Sequence, residues 1–524
     1  QPKAINKNGT SYIDDFEGAQ STIDLKSLNS WYLASVPQGQ PSLFPESTAM
    51  GLAKGFNRSK MSWYRIDQLF YGNGANVPDH IQNDPSVNSD SRTRLVDYQN
   101  VFPLQQNQYG AIPNLQILEL AYYPKERGMY NFDTTSTVVD ADGFFTNPED
   151  RWGGIMRALT TNDFELANIE YIQFWVLDPF NQDAEDANPG FMNGGDLYFN
   201  LGNISEDILP DSRKSYENGL PPSGSPAQGE VDITDWAQIP NAQVTVNAFD
   251  NDGTTRSNQD VGLDGWDNAA EKIAFQEYVD WVQTNPTLSP GAKAQMIADP
   301  SSDDYNYYLD DDYDAVSLSV LERYKKYNGM EGNSPTPEQY EQLNAAGYNT
   351  IGPRIDPDRE DINNDNNLSE TENYFQYKVS LRPGDMVVGQ NYITNKQVYT
   401  NGTKTENWYQ FKIPIQDYMA KINGITDFRS IRFMRMFMKD FDEEVVLRFA
   451  KLELVRGEWR KYLLDLQQPG ESVPVDPNLT SFEIGAVNIE ENSSRQPINY
   501  VTPPGIDREI DPSQQQQRQL NEQA

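Results

Sequence analysis

Residues 408–462, WYQFKIPIQDYMAKINGITDFRSIRFMRMFMKDFDEEVVLRFAKLELVRGEWRKY, carry the clearest hydrophobic pattern in the chain. Tyr409, Phe411, Ile413 and Ile415 alternate with Trp408, Gln410, Lys412 and Pro414. A period of two is what a strand with one buried face requires. Residues 431–438 are apolar on both parities, with Ile431, Phe433 and Phe437 opposing Met434, Met436 and Met438. That pattern predicts a central strand covered on both sides. In the last run Val445, Leu447 and Phe449 share one parity, whereas Leu452 and Leu454 take the other. A bulge near Ala450 and Lys451 restores the facing and bends the strand. The three runs together predict three strands closing one sheet.

The same periodicity, followed from the start, predicts an acidic strand around residues 12–16 and a second at 31–34. Residues 37–109 are rich in Pro, Asn, Ser and Gln and read as long loops, interrupted by a short element at 63–69. Strand signals resume at 115–123 (LQILELAYY), 169–177 (IEYIQFWVL) and 196–201 (DLYFNL), while 152–159 (WGGIMRAL) reads as a strand or a short helix, with strand preferred. Residues 205–260 are dominated by Pro, Gly, Ser and Asp, after which the text turns helical. Ala270, Ile273, Ala274, Tyr278 and Trp281 fall at three- and four-residue spacing and predict one amphipathic face. Ser289–Pro290 and Thr336–Pro337 each place a capping hydroxyl before a Pro suited to the first helical position. Asp314 is a further candidate cap, for a helix carrying Val316, Val320, Tyr324 and Tyr327. Strands return at 374–381 (YFQYKVSL), with a short candidate at 481–489 before a polar, low-complexity tail.

The expectation is a mainly β chain with a helical insertion. Residues 1–204 form the first part of a β-sandwich with long loops, and residues 205–372 an acidic, partly helical insertion. Residues 373–462 complete the sandwich, and residues 463–524 form a Pro-rich and polar tail or linker. The chain opens on Gln1 and closes on SQQQQRQLNEQA, and reads as an internal piece of something longer.

Charge narrows the function. The formal net charge of -37 disfavours nucleic acid, whose binding needs clustered Lys and Arg to displace phosphate counterions. With no Cys there is neither a disulfide framework nor a thiolate metal site, and a single His leaves no zinc site. No apolar run approaches the roughly 20 residues of a membrane helix. A serine triad would have to use His80, in polar text without a nucleophile elbow. The 78 acidic residues offer so many carboxylate pairs that pairing alone says nothing about glycoside hydrolysis. No catalytic residues are assigned.

The sharpest local signal is DINNDNNLSETE at 361–372. Asp361, Asn363 and Asp365 stand at positions one, three and five of a twelve-residue calcium loop. Asn367 offers its carbonyl at seven, Leu368 fills the apolar eighth place, and Glu372 stands at twelve. Asn366 replaces the usual Gly at six, but Asn tolerates the left-handed conformation needed there. The expectation is a structural calcium ion. A second acidic patch, Asp250, Asp252, Asp260, Asp264 and Asp267, can gather at a cation or simply serve Asp-Gly turns.

Two resemblances follow from the wording. IDDFEG at 13–18, IQFWVLDP at 172–179, DLYFNLG at 196–202, WYQFKIPIQDY at 408–418 and the 431–455 pair resemble, in that order, a jelly-roll or galactose-binding-like β-sandwich. Such sandwiches are often braced by calcium. That likeness implies, as one alternative, a calcium-braced carbohydrate-binding module whose platform would expose Trp31, Trp175 or Trp408. More specifically, YIDDFEGAQSTIDL, DREDINNDNNLSETENYFQYKVSLRPGD, RFAKLELVRGEWRKY and NYVTPPGIDREIDPS resemble the Sov/SprA family, outer-membrane translocons of the type IX secretion system needed also for gliding motility. Members resemble a very large transmembrane β-barrel carrying soluble inserted domains. The resemblance implies a non-catalytic cap or plug-type module outside the bilayer, on the extracellular side rather than the periplasmic. Its implied partners are secreted cargo proteins, other translocon subunits and the barrel formed by the remainder of the same chain.

Overall fold

The computed structural model describes residues 13–14, 22–72, 77–82, 84–103, 114–135, 138–180, 193–217, 220, 229–241, 249, 256, 258–329, 334–345, 352, 357–401, 404–457 and 486–487. Two antiparallel sheets face each other, as the alternating runs predict. With strands numbered in chain order, the first sheet holds β3 (Tyr32–Leu33), β6 (Trp152–Ala158), β8 (Gly195–Asn203), β11 (Asn373–Leu381), β14 (Ala420–Ile422) and β15 (Phe433–Lys439). Their spatial order is β14-β11-β8-β15-β6-β3. The second holds β2 (Thr22–Asp24), β4 (Ser59–Tyr64), β5 (Leu118–Arg127), β7 (Ile169–Leu177), β12 (Ile393–Asn401), β13 (Lys404–Pro414) and β16 (Val445–Arg456). Its order is β12-β13-β7-β16-β5-β4, with β2 added on β16. Among the described residues there are also two small pairs, β9 (Val231–Ile233) with β10 (Gln238–Pro240), and β1 (Ile13–Asp14) in parallel with β17 (Ala486–Val487).

The inner faces meet through aromatic rings. Phe174 of β7 stacks on Phe411 of β13 with centroids 4.7 Å apart, and reaches Phe199 of the opposite sheet at 5.5 Å. Gly153 in β6 allows close approach, since a Cβ there would lie 2.9 Å from the Tyr122 ring of β5. This is why WGG text makes a strand despite the glycines.

β15 is buried at every position and lies between β8 and β6, as its two apolar faces predict. The parity switch in β16 is a bulge, with pairing to β7 jumping from Phe449 to Lys451 across Ala450. The single three-stranded sheet expected from residues 408–462 is not formed. β15 joins one sheet, and β13 and β16 the other, with β7 inserted between those two. Local periodicity sets which side chains face inward but not which sheet a strand enters. The outer face of β13 also differs from a solvated one: Trp408 packs in a second core with Val96, Tyr98, Val101, Phe102, Leu115 and Trp175.

β8 and β11 pair antiparallel in continuous register from Gly195↔Leu381 to Asn203↔Asn373. Residues 204–372 are therefore an excursion between two hydrogen-bonded neighbours. Its described helices are Asn268–Ala274, Gln276–Thr284, Pro290–Ala298, Asp311–Ala315, Val320–Lys325 and Pro337–Ala345. Tyr278, Val282 and Tyr324 from them, with Phe275 at the junction of the first two, join the sandwich's own hydrophobic cluster. Ser289 caps its helix through Ala292 N–H (3.2 Å), and Thr336 accepts from Gln339 N–H (3.3 Å). Asp314 is not a cap; Ser319 begins the Val320–Lys325 helix with Glu322 closing a capping box, and Asp314 pairs with Arg323. The amphipathic face expected from Ala270 to Trp281 is broken at Phe275, where one helix ends and the next begins. Ile273 stands 77% exposed while Glu271 is buried. Most of the tail, residues 463–524, lies outside the described residues.

Candidate functional site

The 361–372 loop folds around its own carboxylates. Asp361 accepts the backbone N–H groups of Asp365 (3.0 Å) and Asn366 (2.9 Å). Asn363 Oδ1 accepts from Asp365 N–H (2.8 Å), and Asp365 Oδ1 from Asn367 N–H (2.9 Å). Asn366 adopts φ 64° and Asn364 φ 60°, so Asn does take the left-handed turn at the sixth position. The loop thus gathers Asp361, Asn363, Asp365 and Asn367.

Glu372 is not gathered with them. Arg435 of β15 donates to it through Nη1 (2.6 Å) and Nη2 (3.1 Å), and both side chains are fully buried. The remaining acceptor capacity of Glu372 takes Gln38 N–H (2.7 Å) and Ser205 N–H (3.2 Å). Arg435 lies over the Tyr374 ring at 5.1 Å, and the Asn200 amide, oriented by its hydrogen-bond network, accepts from Nε (3.1 Å). The carboxylate that enters the loop instead is Glu206, which accepts Asn363 N–H (3.2 Å) and Ser369 N–H (3.1 Å). Burial raises the Glu206 carboxyl to about 7. Nothing in the local text marks Glu206, which reaches the loop only because β8 and β11 are neighbours.

A second set of carboxylates converges where the helical excursion meets the sandwich. One oxygen each of Asp264, Glu271 and Asp303 lie within 4.8 Å of one another. Asp267 caps the helix that presents Glu271, accepting from Ala269 and Ala270 N–H. Ser301 Oγ donates to Asp264 Oδ2 (2.6 Å), and Ser301 N–H to Glu271 Oε2 (3.1 Å). Burial is the first cause that raises all three carboxyls, and the repulsion among them raises Glu271 and Asp303 further. Of the acidic patch noted in the sequence, Asp264 belongs to this cluster, Asp250 and Asp252 lie outside the described residues, and Glu271 was hidden inside a helix.

The three tryptophans that a sugar platform would expose are core residues: Trp31 is 3%, Trp175 1% and Trp408 0% exposed. The carbohydrate-binding alternative loses the surface it needs. His80 sits in a short helix, Asp79–Gln82, with Nε2 2.9 Å from the Leu318 carbonyl, and forms no nucleophilic arrangement among the described residues.

Residues 277–524 match the family model SprA_N, described as motility related/secretion protein. No curated protein matches the chain. Among the described residues no helix is long and apolar enough to cross a membrane. The family description names motility and secretion and no reaction, which places its work at the cell envelope. The matched stretch includes β11 to β17 and the 361–372 loop, and over it the chain is similar to the SprA_N family of motility-related secretion proteins, in line with the SprA/Sov resemblance of the sequence.

Proposed function

We propose that this chain is a non-catalytic, cap or plug-type module of an outer-membrane protein-export channel, held outside the bilayer on the extracellular side. The family match over 277–524 carries the reading. Two features of the fold support it. Among the described residues the two sheets and the helical excursion share one hydrophobic cluster, which suits a module that stands as one body. A net charge of -37 keeps it soluble and repels unrelated anionic surfaces. Its partners on this reading are secreted cargo proteins, other translocon subunits, and a membrane β-barrel formed by the remainder of the same chain. Calcium at the 361–372 loop, as part of the same proposal, would draw on Asp361, Asn363, Asp365 and the Asn367 carbonyl, with Glu206 standing where Glu372 was expected.

The test is affinity capture with the purified chain against secreted cargo and against solubilised translocon subunits, with an unrelated acidic β-sandwich as control. Binding above the control supports the export reading. Absence of binding to both classes overturns it.

A further inference from the structure

We propose that Asp264, Glu271 and Asp303 hold a calcium ion that latches three segments of the helical excursion together beside the sandwich. The three residues come from the loop before one helix, the first turn of that helix, and the loop after the Pro290–Ala298 helix. Asp264 is 0% and Glu271 1% exposed, and none of the three forms an ion pair with Lys or Arg among the described residues. Three converging carboxylates without a cation repel one another, and buried charge of that kind is kept only where it is compensated.

A separate observation points at a ligand. Asp303 Oδ2 is closed to solvent and accepts no hydrogen bond. Gly262, at φ +72°, leaves the space that this oxygen occupies, since a Cβ there would collide with it. The hydrogen bonds from Ser301 hold Asp264 and Glu271 beside it without neutralising either.

The donor set selects the ion. Only hard oxygen ligands are present, which disfavours zinc and copper. Calcium takes six to eight oxygen ligands in flexible geometry, which suits three converging carboxylates better than the strict octahedron of magnesium. Asp299 and Asp304 share Asp303 in a neighbouring carboxylate group and add negative potential from outside. The latch would bear on β5, because Arg127 donates to the Asp299 carbonyl (2.6 Å) and Tyr130 N–H to the Ser301 carbonyl (2.7 Å).

The experiment uses the whole chain stripped with EDTA, titrated with calcium chloride by calorimetry and melted with and without calcium. Glu271→Gln and Asp303→Asn are compared with the parent, and Asp361→Asn serves as a variant outside the cluster. The expected result is that both cluster variants weaken one calcium site at least tenfold or so, while Asp361→Asn leaves that site intact. Calcium at 100 times Kd should raise the parent's melting temperature by about 4 °C. In EDTA, Glu271→Gln and Asp303→Asn should melt no lower than the parent, because each removes a repelling charge; this separates loss of a ligand from loss of the fold. Calcium heats unchanged in both variants, or no calcium heat with a folded parent, would overturn the proposal. So would melting that responds to pH but not to calcium, which would assign the cluster to shared protons.

Discussion

Substituting Gln for Glu372 tests how the two sheet-closing strands are tied together. Glu372 precedes β11 and Arg435 lies in β15, and β8 runs between those strands. Their ion pair, at 2.6 and 3.1 Å, is closed to solvent on both sides. Glutamine keeps the shape but offers one acceptor where the carboxylate serves four donors: both Nη groups of Arg435 and the N–H groups of Gln38 and Ser205. Its amide N–H would face some of these donors, and Arg435 would remain buried without its counter-charge. Removing one partner of a buried pair costs about 3–5 kcal/mol. With about 2.1 cal/mol/K of unfolding entropy per residue, a cooperative unit on the order of 350 residues should lose roughly 4–7 °C in melting temperature. Circular dichroism melts of Glu372→Gln measure this directly. The double variant Glu372→Leu/Arg435→Met should recover most of the loss, since an apolar pair of similar volume has no charge to desolvate. The loss should be equal in EDTA and in calcium. A loss seen only with calcium would refute the ion-pair account and restore Glu372 as a ligand, and a shift below about 1 °C would show that the pair contributes little.

Two further outcomes follow from burial. Glu119, Glu206 and Asp207 are each pushed up to about 7, chiefly by burial, from ordinary values of 4.5, 4.5 and 3.8. Raised folded-state values mean that the native chain binds more protons than the unfolded one between about 4 and 7, so this contribution is complete at the acid end and is lost as pH rises through 7. Melting temperature should therefore be higher at pH 5.5 than at pH 8, and the reverse order would contradict the assignment of these groups as carboxyls raised by burial. Trp408→Ala should destabilise the second core by about 3–5 kcal/mol, read from denaturant melts, and leave glycan binding unchanged; protection of Trp408 fluorescence by a soluble sugar would reopen the carbohydrate reading.

Much of the sandwich is legible in the chain because period two is a local property. Residues 169–177 coincide with β7, and the parity switch at Ala450 is itself the bulge. Sheet membership is not local: nothing between Ile415 and Ile431 states that β15 leaves the sheet of β13. The same distinction governs the candidate sites. Asp361, Asn363 and Asp365 sit together because they are adjacent in sequence, whereas Glu372 is claimed by Arg435, 63 residues away. Glu206 and Glu271 carried no signal: the first depends on the β8–β11 pairing, the second on a helix whose buried face shifts at Phe275.

The measurement that bears most directly on the export role is photocrosslinking in secreting cells. A crosslinking amino acid would replace exposed apolar residues in turn, Met50, Leu166, Val398 and Met419. The account predicts adducts with secreted cargo or other translocon subunits from at least one of these positions, increasing when export is blocked with cargo engaged. No adducts from any position, in cells that secrete normally and display the folded chain, would contradict it.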